Sequence, residues 1–131
     1  MLKRFLKCGR GQAAVEFALV IPVLLLLLFG IVEFGRIFGA SLIVAHSARE
    51  GARLGSMGAS DSEIILRVEE AAASLDADLL DIEITPDEAG RETGTPIRVH
   101  VAYPVTVYAP FISIITGQTV TVQSDMVMRV E

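Results

Sequence analysis

An apolar segment near the N-terminus limits what this chain can fold into more than any other feature. Residues 13–32 are twenty in number, and Glu16 is their only charged member. As an α-helix they would extend about 30 Å, which is the thickness of the hydrocarbon core of a bilayer. Five consecutive leucines leave no polar face for a soluble amphipathic helix. The segment therefore predicts one transmembrane helix, which Pro22 would kink without ending it.

The residues before this segment are basic. Residues 1–11 contain four cationic side chains and no acidic one. Basic residues beside a membrane span favour the cytoplasmic side, so the N-terminus is predicted to be cytoplasmic and the chain beyond the span extracytoplasmic, in the inner membrane. No small-residue cleavage site follows the apolar core, which disfavours cleavage by the general signal peptidase.

Gly11 stands immediately before the apolar run, and Gln12, Glu16 and Phe17 follow it at fixed positions. A basic leader, a glycine, a glutamate five residues later, an aromatic residue and a leucine-rich span resemble the type IV prepilins. The chain is most similar to the TadE-like pseudopilins of the tight-adherence (Tad/Flp) type IV pilus system. Further blocks that carry the resemblance are residues 48–53, 103–105 and 126–131.

The resemblance implies a function and a set of partners. Gly11 would be the last leader residue, Gln12 the mature N-terminus, and Glu16, with Phe17 beside it, the charge-pairing residue of assembly. The chain would be a minor pilin or pseudopilin of a Tad pilus or related secretion apparatus, and would act through membrane-helix packing and external-domain contacts. Its implied partners are a prepilin-type peptidase, other pilin and pseudopilin subunits, the Tad inner-membrane assembly platform and membrane lipid.

Glu16 also requires an explanation from elementary physical chemistry. An ionisable group inside an apolar span costs a few kcal/mol unless it is paired. Its carboxylate would either reach back to the lipid headgroups, or pair with Arg10, or neutralise the amine that cleavage creates on Gln12 of its own or a neighbouring subunit. The residues alone leave these alternatives open.

The chain divides into four predicted regions. Residues 1–11 form the leader, 12–36 the transmembrane helix, 37–56 an extracytoplasmic helical extension and 57–131 a small α+β domain. In that domain Ser60 and Glu63 have the spacing of a capping box, which predicts a second helix from Asp61 to about Leu75. Alternating apolar residues then predict an antiparallel sheet of about three strands, covered on one face by this helix. Pro104 places its strand at an edge or at a bulge.

Charge and chemistry exclude several classes of function. Residues 12–131 contain seven basic and sixteen acidic residues, a net charge of −9, which argues against nucleic-acid binding. His46 and His100 are the only histidines, and their surroundings predict ordinary surface positions. The sequence has no catalytic or metal-binding motif, so neither enzymatic activity nor a cofactor is expected. The acidic series between Asp76 and Glu88 lacks the spacing of a calcium loop and favours a solvated face.

Cys8 is the only cysteine, so no disulfide can form within the chain. Cleavage after Gly11 would remove it. The alternative to the pseudopilin interpretation is an uncleaved, single-pass anchored module that binds a partner outside the membrane. A plain anchor of that kind does not need a glycine directly before its span or a glutamate five residues later.

Overall fold

The structure, a computed structural model, describes residues 9–109 and 112–131. The leader residues 1–8, and Cys8 with them, lie outside this range. The elements are, in chain order, α1 (Gly9–Ser56), α2 (Asp61–Ala71), β1 (Asp81–Thr85), β2 (Pro96–Thr106), α3 (Ile112–Thr116) and β3 (Thr119–Arg129). A long apolar helix, a further helix and a three-stranded antiparallel sheet confirm the predicted α+β class.

α1 contains both the apolar span and the helical extension. It is 48 residues long, which corresponds to about 72 Å. Pro22 lies inside it and does not end it, as predicted. At its far end the Ser56 carbonyl accepts a hydrogen bond from the Glu131 backbone N–H at 2.9 Å. The last residue of the chain thus satisfies one of the carbonyls that a helix end leaves free.

α2 begins as its sequence predicts. The Ser60 hydroxyl accepts a hydrogen bond from the Glu63 N–H at 3.4 Å, and the Glu63 carboxylate accepts one from the Ser60 N–H at 2.9 Å. The capping box is therefore confirmed. The helix ends at Ala71, four residues before the predicted end at Leu75, because the following N–H groups bond to carbonyls three residues back and tighten the chain into turns.

The sheet has the order β1, β2, β3, and both pairings are antiparallel. β1 covers only part of β2, because its first residue, Asp81, pairs with Ala102. Beyond Ala102, β2 has a neighbour on one side only. The predicted edge strand is wrong, since β2 is the central strand, and no bulge is present, since Pro104 lies opposite Thr121 in an unbroken register. Proline is accommodated because it lies in the part of β2 beyond β1, where its missing N–H breaks no ladder.

The hydrophobic core lies between α1, α2 and one face of the sheet. The C-terminal half of α1 provides the main cover of the sheet, and α2 packs chiefly against α1 and joins the same core from the side. The fully buried apolar residues of this core are Val44, Ala48, Ala52, Ile64, Val68, Ile97, Val99 and Val101. The predicted sheet-covering role of α2 is thus taken mainly by α1.

Two glycines allow this close packing. A Cβ atom on Gly51 would lie 2.5 Å from Val68 Cγ2 and 3.4 Å from Val99 Cγ1. A Cβ atom on Gly55 would lie 2.5 Å from Ile97 Cδ1. α2 and β2 therefore pack directly on the backbone of α1 at these two glycines, where α1 carries no side chain.

β2 runs antiparallel to α1. Ile97, near the start of β2, lies beside Gly55, whereas the carbonyl of Thr106, at its end, lies 3.3 Å from the Arg36 guanidinium. The strand therefore leads back from the distal end of α1 to the end of the apolar span.

Candidate functional site

The surface of the apolar span is the largest unusual feature of the molecule. Every residue from 11 to 29 is exposed. Within the described residues, one helix is long and apolar enough to cross a membrane, and it lies near the N-terminus. A long helix with apolar side chains all round is not a soluble surface helix. The observation is consistent with single-pass membrane anchoring.

The structure brings together two of the predicted site residues. Gln12 Nε2 donates a hydrogen bond to Glu16 Oε1 at 3.1 Å. Side chains on a helix lean toward its N-terminus, so the Glu16 carboxylate points to the turn that carries the Gly11–Gln12 peptide bond. Phe17 is exposed next to it. The alternative partner, the Arg10 side chain, lies outside the described side chains.

Gly11 and Gln12 are both helical. A peptidase that binds this peptide bond in an extended form would first have to unwind about one turn. Glycine lowers the cost of that step, because it is about 1 kcal/mol less favourable than alanine in a helix. Among the described residues, no heavy atom outside its own helical turn lies within 4 Å of a Cβ placed on Gly11.

A second cluster of polar contacts lies at the end of the span. We call it the Arg36 junction, and it consists of Glu33, Arg36, Thr106 and Tyr108. Arg36 donates to Glu33 Oε1 at 2.8 Å, and the Glu33 side chain is only 5% exposed. The same guanidinium donates to the Thr106 carbonyl and lies 4.6 Å from the centre of the Tyr108 ring. The ion pair with Glu33 lies within α1, whereas the hydrogen bonds to Thr106 and the cation–π contact with Tyr108 join α1 to the end of β2 and the segment after it.

A cavity of about 400 Å³ opens beside this junction. Its lining consists of Phe29, Val32, Glu33, Arg36, Tyr108 and Ala109. Side chains of α1 near the end of the span and of the segment after β2 thus line the same cavity.

Glu50 connects α1 to α2. Its carboxylate accepts hydrogen bonds from Arg67 at 2.8 Å and from Arg53 at 3.2 Å. The bond from Arg67 and then that from Arg53 hold the pKa of Glu50 below its ordinary value. The block 48–53, which contributed to the family resemblance, therefore supplies both the small buried residues and the charged link of the α1–α2 contact.

Arg91 fixes the loop before β2. Its side chain is 5% exposed, forms an ion pair with Asp61 and donates to the carbonyls of Ala59 at 2.7 Å and Pro86 at 3.3 Å. Burial lowers the pKa of Arg91. The residue ties the start of α2 to the connection between β1 and β2.

The two histidines have no arrangement suited to catalysis. His46 is exposed on α1, as predicted. His100 lies on the outer face of the sheet, where its Nδ1 is 3.0 Å from Asp125 Oδ1, and Arg98 Nε donates to the same oxygen at 2.9 Å. The bond with His100 and the charge of Arg98 lower the pKa of Asp125.

No group of three or more histidine, cysteine, aspartate and glutamate side chains in residues 9–109 and 112–131 is placed to hold a metal ion. The acidic residues between Asp76 and Glu88 are exposed and spread over two short 3₁₀ turns and β1. The Asp76 carboxylate accepts a bond from the Asp78 N–H at 3.1 Å, and that of Glu88 accepts one from the Asp61 N–H at 3.4 Å. Asp76 and Glu88 thus serve hydrogen bonding to the backbone of the domain.

Sequence reasoning missed the contacts of Arg36 with Thr106 and Tyr108, and it missed Arg91. The signal for Arg36 was available in part, because a lone arginine at the end of a span beside a glutamate is typical of a helix leaving the membrane. Its partners could not be identified, since Thr106 is 70 residues away along the chain.

Comparison with known proteins gave one family. The model of the family described as TadE-like protein matches residues 11–53, which cover α1 from the processing-like glycine to the α1–α2 contact. This match confirms the resemblance over that part of the chain and suggests a component associated with a Tad pilus. No curated protein and no solved structure matched the chain.

Proposed function

We propose that this chain is a minor pilin or pseudopilin-like subunit that acts in assembly of a Tad (Flp) type IV pilus or a related secretion apparatus. It acts by packing its membrane helix against other subunits and by contacts of its external domain. The observation that carries the proposal is the family match over residues 11–53 on a helix whose apolar residues 11–29 are all exposed.

We keep the four predicted regions in this proposal and change the role of one of them, the helical extension. Residues 1–11 are the leader, 12–36 the transmembrane helix, 37–56 the extension and 57–131 the external domain. Because the extension carries core residues such as Val44 and Ala48, it is a structural part of the external domain. The anchor and the domain are therefore joined without a linker.

Leader removal is the step that prepares the subunit. A prepilin-type peptidase at the cytoplasmic face of the inner membrane cleaves between Gly11 and Gln12 and leaves a positive amine on Gln12. The hydrogen bond from the Gln12 side chain to the Glu16 carboxylate supports a pairing of Glu16 with that amine or with the amine of a neighbouring subunit. Either pairing offsets the cost of a carboxylate in an apolar span.

The proposed orientation has the N-terminus in the cytoplasm and residues after about Arg36 outside, because the leader carries four cations. Protease added to spheroplasts should therefore digest the external domain. Digestion only after the cells are disrupted would contradict this orientation.

Intact-mass measurement of protein purified from membranes of cells with the cognate peptidase tests the function. We expect a mature chain that begins at Gln12 and lacks Cys8 and both lysines, Lys3 and Lys7. Gly11→Val should accumulate the full-length precursor. Gly30→Val is the matched control, since Gly30 is also an open glycine of α1, and it should be processed normally.

A wild-type mass that still includes residues 1–11 would contradict the proposal. It would favour the uncleaved, single-pass anchored binding module, whose external domain would hold a ligand or partner.

A further inference from the structure

The segment between β2 and β3 is apolar and uncharged. Residues 107–118 contain no charged side chain. Tyr108 is 73% exposed, and in α3 Ile114 and Ile115 are 79% and 87% exposed. We call Tyr108, Ile114 and Ile115 the loop patch. Adjacent exposed isoleucines are costly in water, so the position of the patch in the molecule decides what covers it.

The antiparallel course of α1 and β2 gives that position. Gly55 and Arg36 are nineteen residues apart on α1, which corresponds to about 28 Å along the helix axis. Their neighbours on β2, Ile97 and Thr106, are nine residues apart, which corresponds to about 30 Å along the strand, so the two elements keep pace over this length. Two further residues carry the chain about 7 Å to Tyr108, which corresponds to the level of Val32 on the helix. The shared cavity of Tyr108 with Phe29 and Val32 agrees with this estimate.

α3 is attached at the same level. The Ser113 N–H donates to the Ala109 carbonyl at 3.1 Å, and Ala109 lines the cavity with Phe29 and Val32. The Val107 N–H donates to the Gln118 carbonyl at 2.9 Å and closes the base of the loop. The loop patch therefore projects beyond the hairpin beside the last turns of the apolar span.

We infer that the loop patch is a second membrane contact, inserted in the outer leaflet beside α1. The bilayer is the occupant because the patch lies level with Phe29 and Val32, which are themselves exposed residues of the span. Tyrosine at the end of a span and an arginine over its ring are the side chains expected at the headgroup level. The contact is apolar and does not depend on anionic lipid.

This inference rests on the membrane placement of α1 in the proposed function, but not on leader cleavage or pilus assembly. It has a structural consequence. A helix alone fixes neither its rotation about its axis nor the side on which its domain lies, whereas a second insertion point beside it fixes both.

The test uses tryptophan fluorescence of the full-length chain in phosphatidylcholine vesicles. The chain has no tryptophan, so Ile115→Trp introduces a single reporter at an exposed position. Leu25→Trp is the control inside the span, and Val127→Trp, opposite Arg98 at the distal part of the sheet, is the aqueous control. Brominated lipid quenches from the membrane side and acrylamide from the water side.

We expect brominated lipid to quench the Ile115→Trp reporter at least about twofold more than the Val127→Trp reporter, and acrylamide to quench it less. The same ratio is expected when anionic phosphatidylglycerol is added. A reporter at 115 that behaves like the one at 127, while the one at 25 is quenched by lipid, would overturn the inference and indicate a protein partner for the patch. Quenching at 115 that appears only with anionic lipid would overturn the inference that the contact is apolar.

A reporter at 25 that lipid does not quench would overturn the membrane placement of α1 itself, independently of the cleavage test.

Discussion

The Arg36 guanidinium lies 4.6 Å from the centre of the Tyr108 ring and at the same time pairs with the buried carboxylate of Glu33. The same guanidinium donates to the Thr106 carbonyl, so it joins the helix to the end of β2 at the point where the apolar span ends. Arg36 therefore ties the end of the apolar span to the edge of the domain that lies beside it.

Replacing Arg36 should therefore destabilise the external domain. Arg36→Gln leaves the Glu33 carboxylate buried without its cation, which we expect to cost about 1–3 kcal/mol of unfolding free energy. Thermal unfolding of the full chain in detergent measures this. The double variant Glu33→Gln with Arg36→Gln should recover part of the loss, because the uncompensated charge is gone. Additive losses would show that the two residues are not coupled.

Gly51→Ala should destabilise the core. The new methyl group would lie 2.5 Å from Val68 Cγ2, a stiff side chain, so the contact between α1 and α2 has to open. Overpacking of this kind costs about 1–3 kcal/mol, against a gain of about 1 kcal/mol in helix propensity. Gly39→Ala, with open space at the same kind of helical position, is the control and should be neutral or stabilising. Equal melting temperatures of the two variants would contradict the packing role of Gly51.

The link between α1 and α2 should depend on pH. The pKa of Glu50 lies below its ordinary value of 4.5, chiefly through its hydrogen bond from Arg67. Its stabilising contribution is therefore complete above pH 4.5 and is lost as the pH falls through the lowered pKa. Glu50→Gln should have a lower melting temperature than the parent at pH 7, and the difference should shrink toward pH 3. Asp87→Asn, an exposed acid in a loop, is the control. A difference that is constant over this range would exclude the ionised pair as its cause.

Glu16→Gln should impair assembly without impairing insertion. It removes the charge and keeps the shape, so the span still enters the membrane while co-purification with other pilus subunits falls. Gln12→Ala is the matched variant, because it removes the side-chain hydrogen bond to Glu16 and leaves the charge. If Glu16→Gln co-purified as well as the parent, the charge-pairing role would be wrong and the headgroup alternative preferred. If Gln12→Ala reproduced the loss with normal processing, the intrachain bond, and not pairing with an amine, would be responsible.

Local patterns in the sequence predicted most of the elements. The apolar run predicted α1, Ser60 with Glu63 predicted the start of α2, and alternation predicted the strands, because each signal lies within a few residues of the structure it specifies. The end of α2 was missed, since nothing within the helix itself marks the turns after Ala71. Pattern alone also could not show that α1 would be the main cover of the sheet.

The candidate site was predictable only in its local part. Gly11, Gln12, Glu16 and Phe17 lie within one short stretch, and the hydrogen bond between Gln12 and Glu16 is a contact between adjacent turns. The contacts of Arg36 and of Arg91 join residues that are brought together only by the course of β2 and its preceding loop. Such partners follow from the tertiary structure and leave no periodic signal.

α1 passes from the span into the centre of the core as one helix. A pull on the span along its axis is therefore transmitted directly to the domain, with no hinge to absorb it. Because β2 lies antiparallel to α1 and packs along it, such a force is parallel to the interface between the two elements. It therefore loads many core contacts in shear at the same time, whereas a force perpendicular to the interface would break them one after another. A force on the span would thus act on the span and the domain as a single mechanical body.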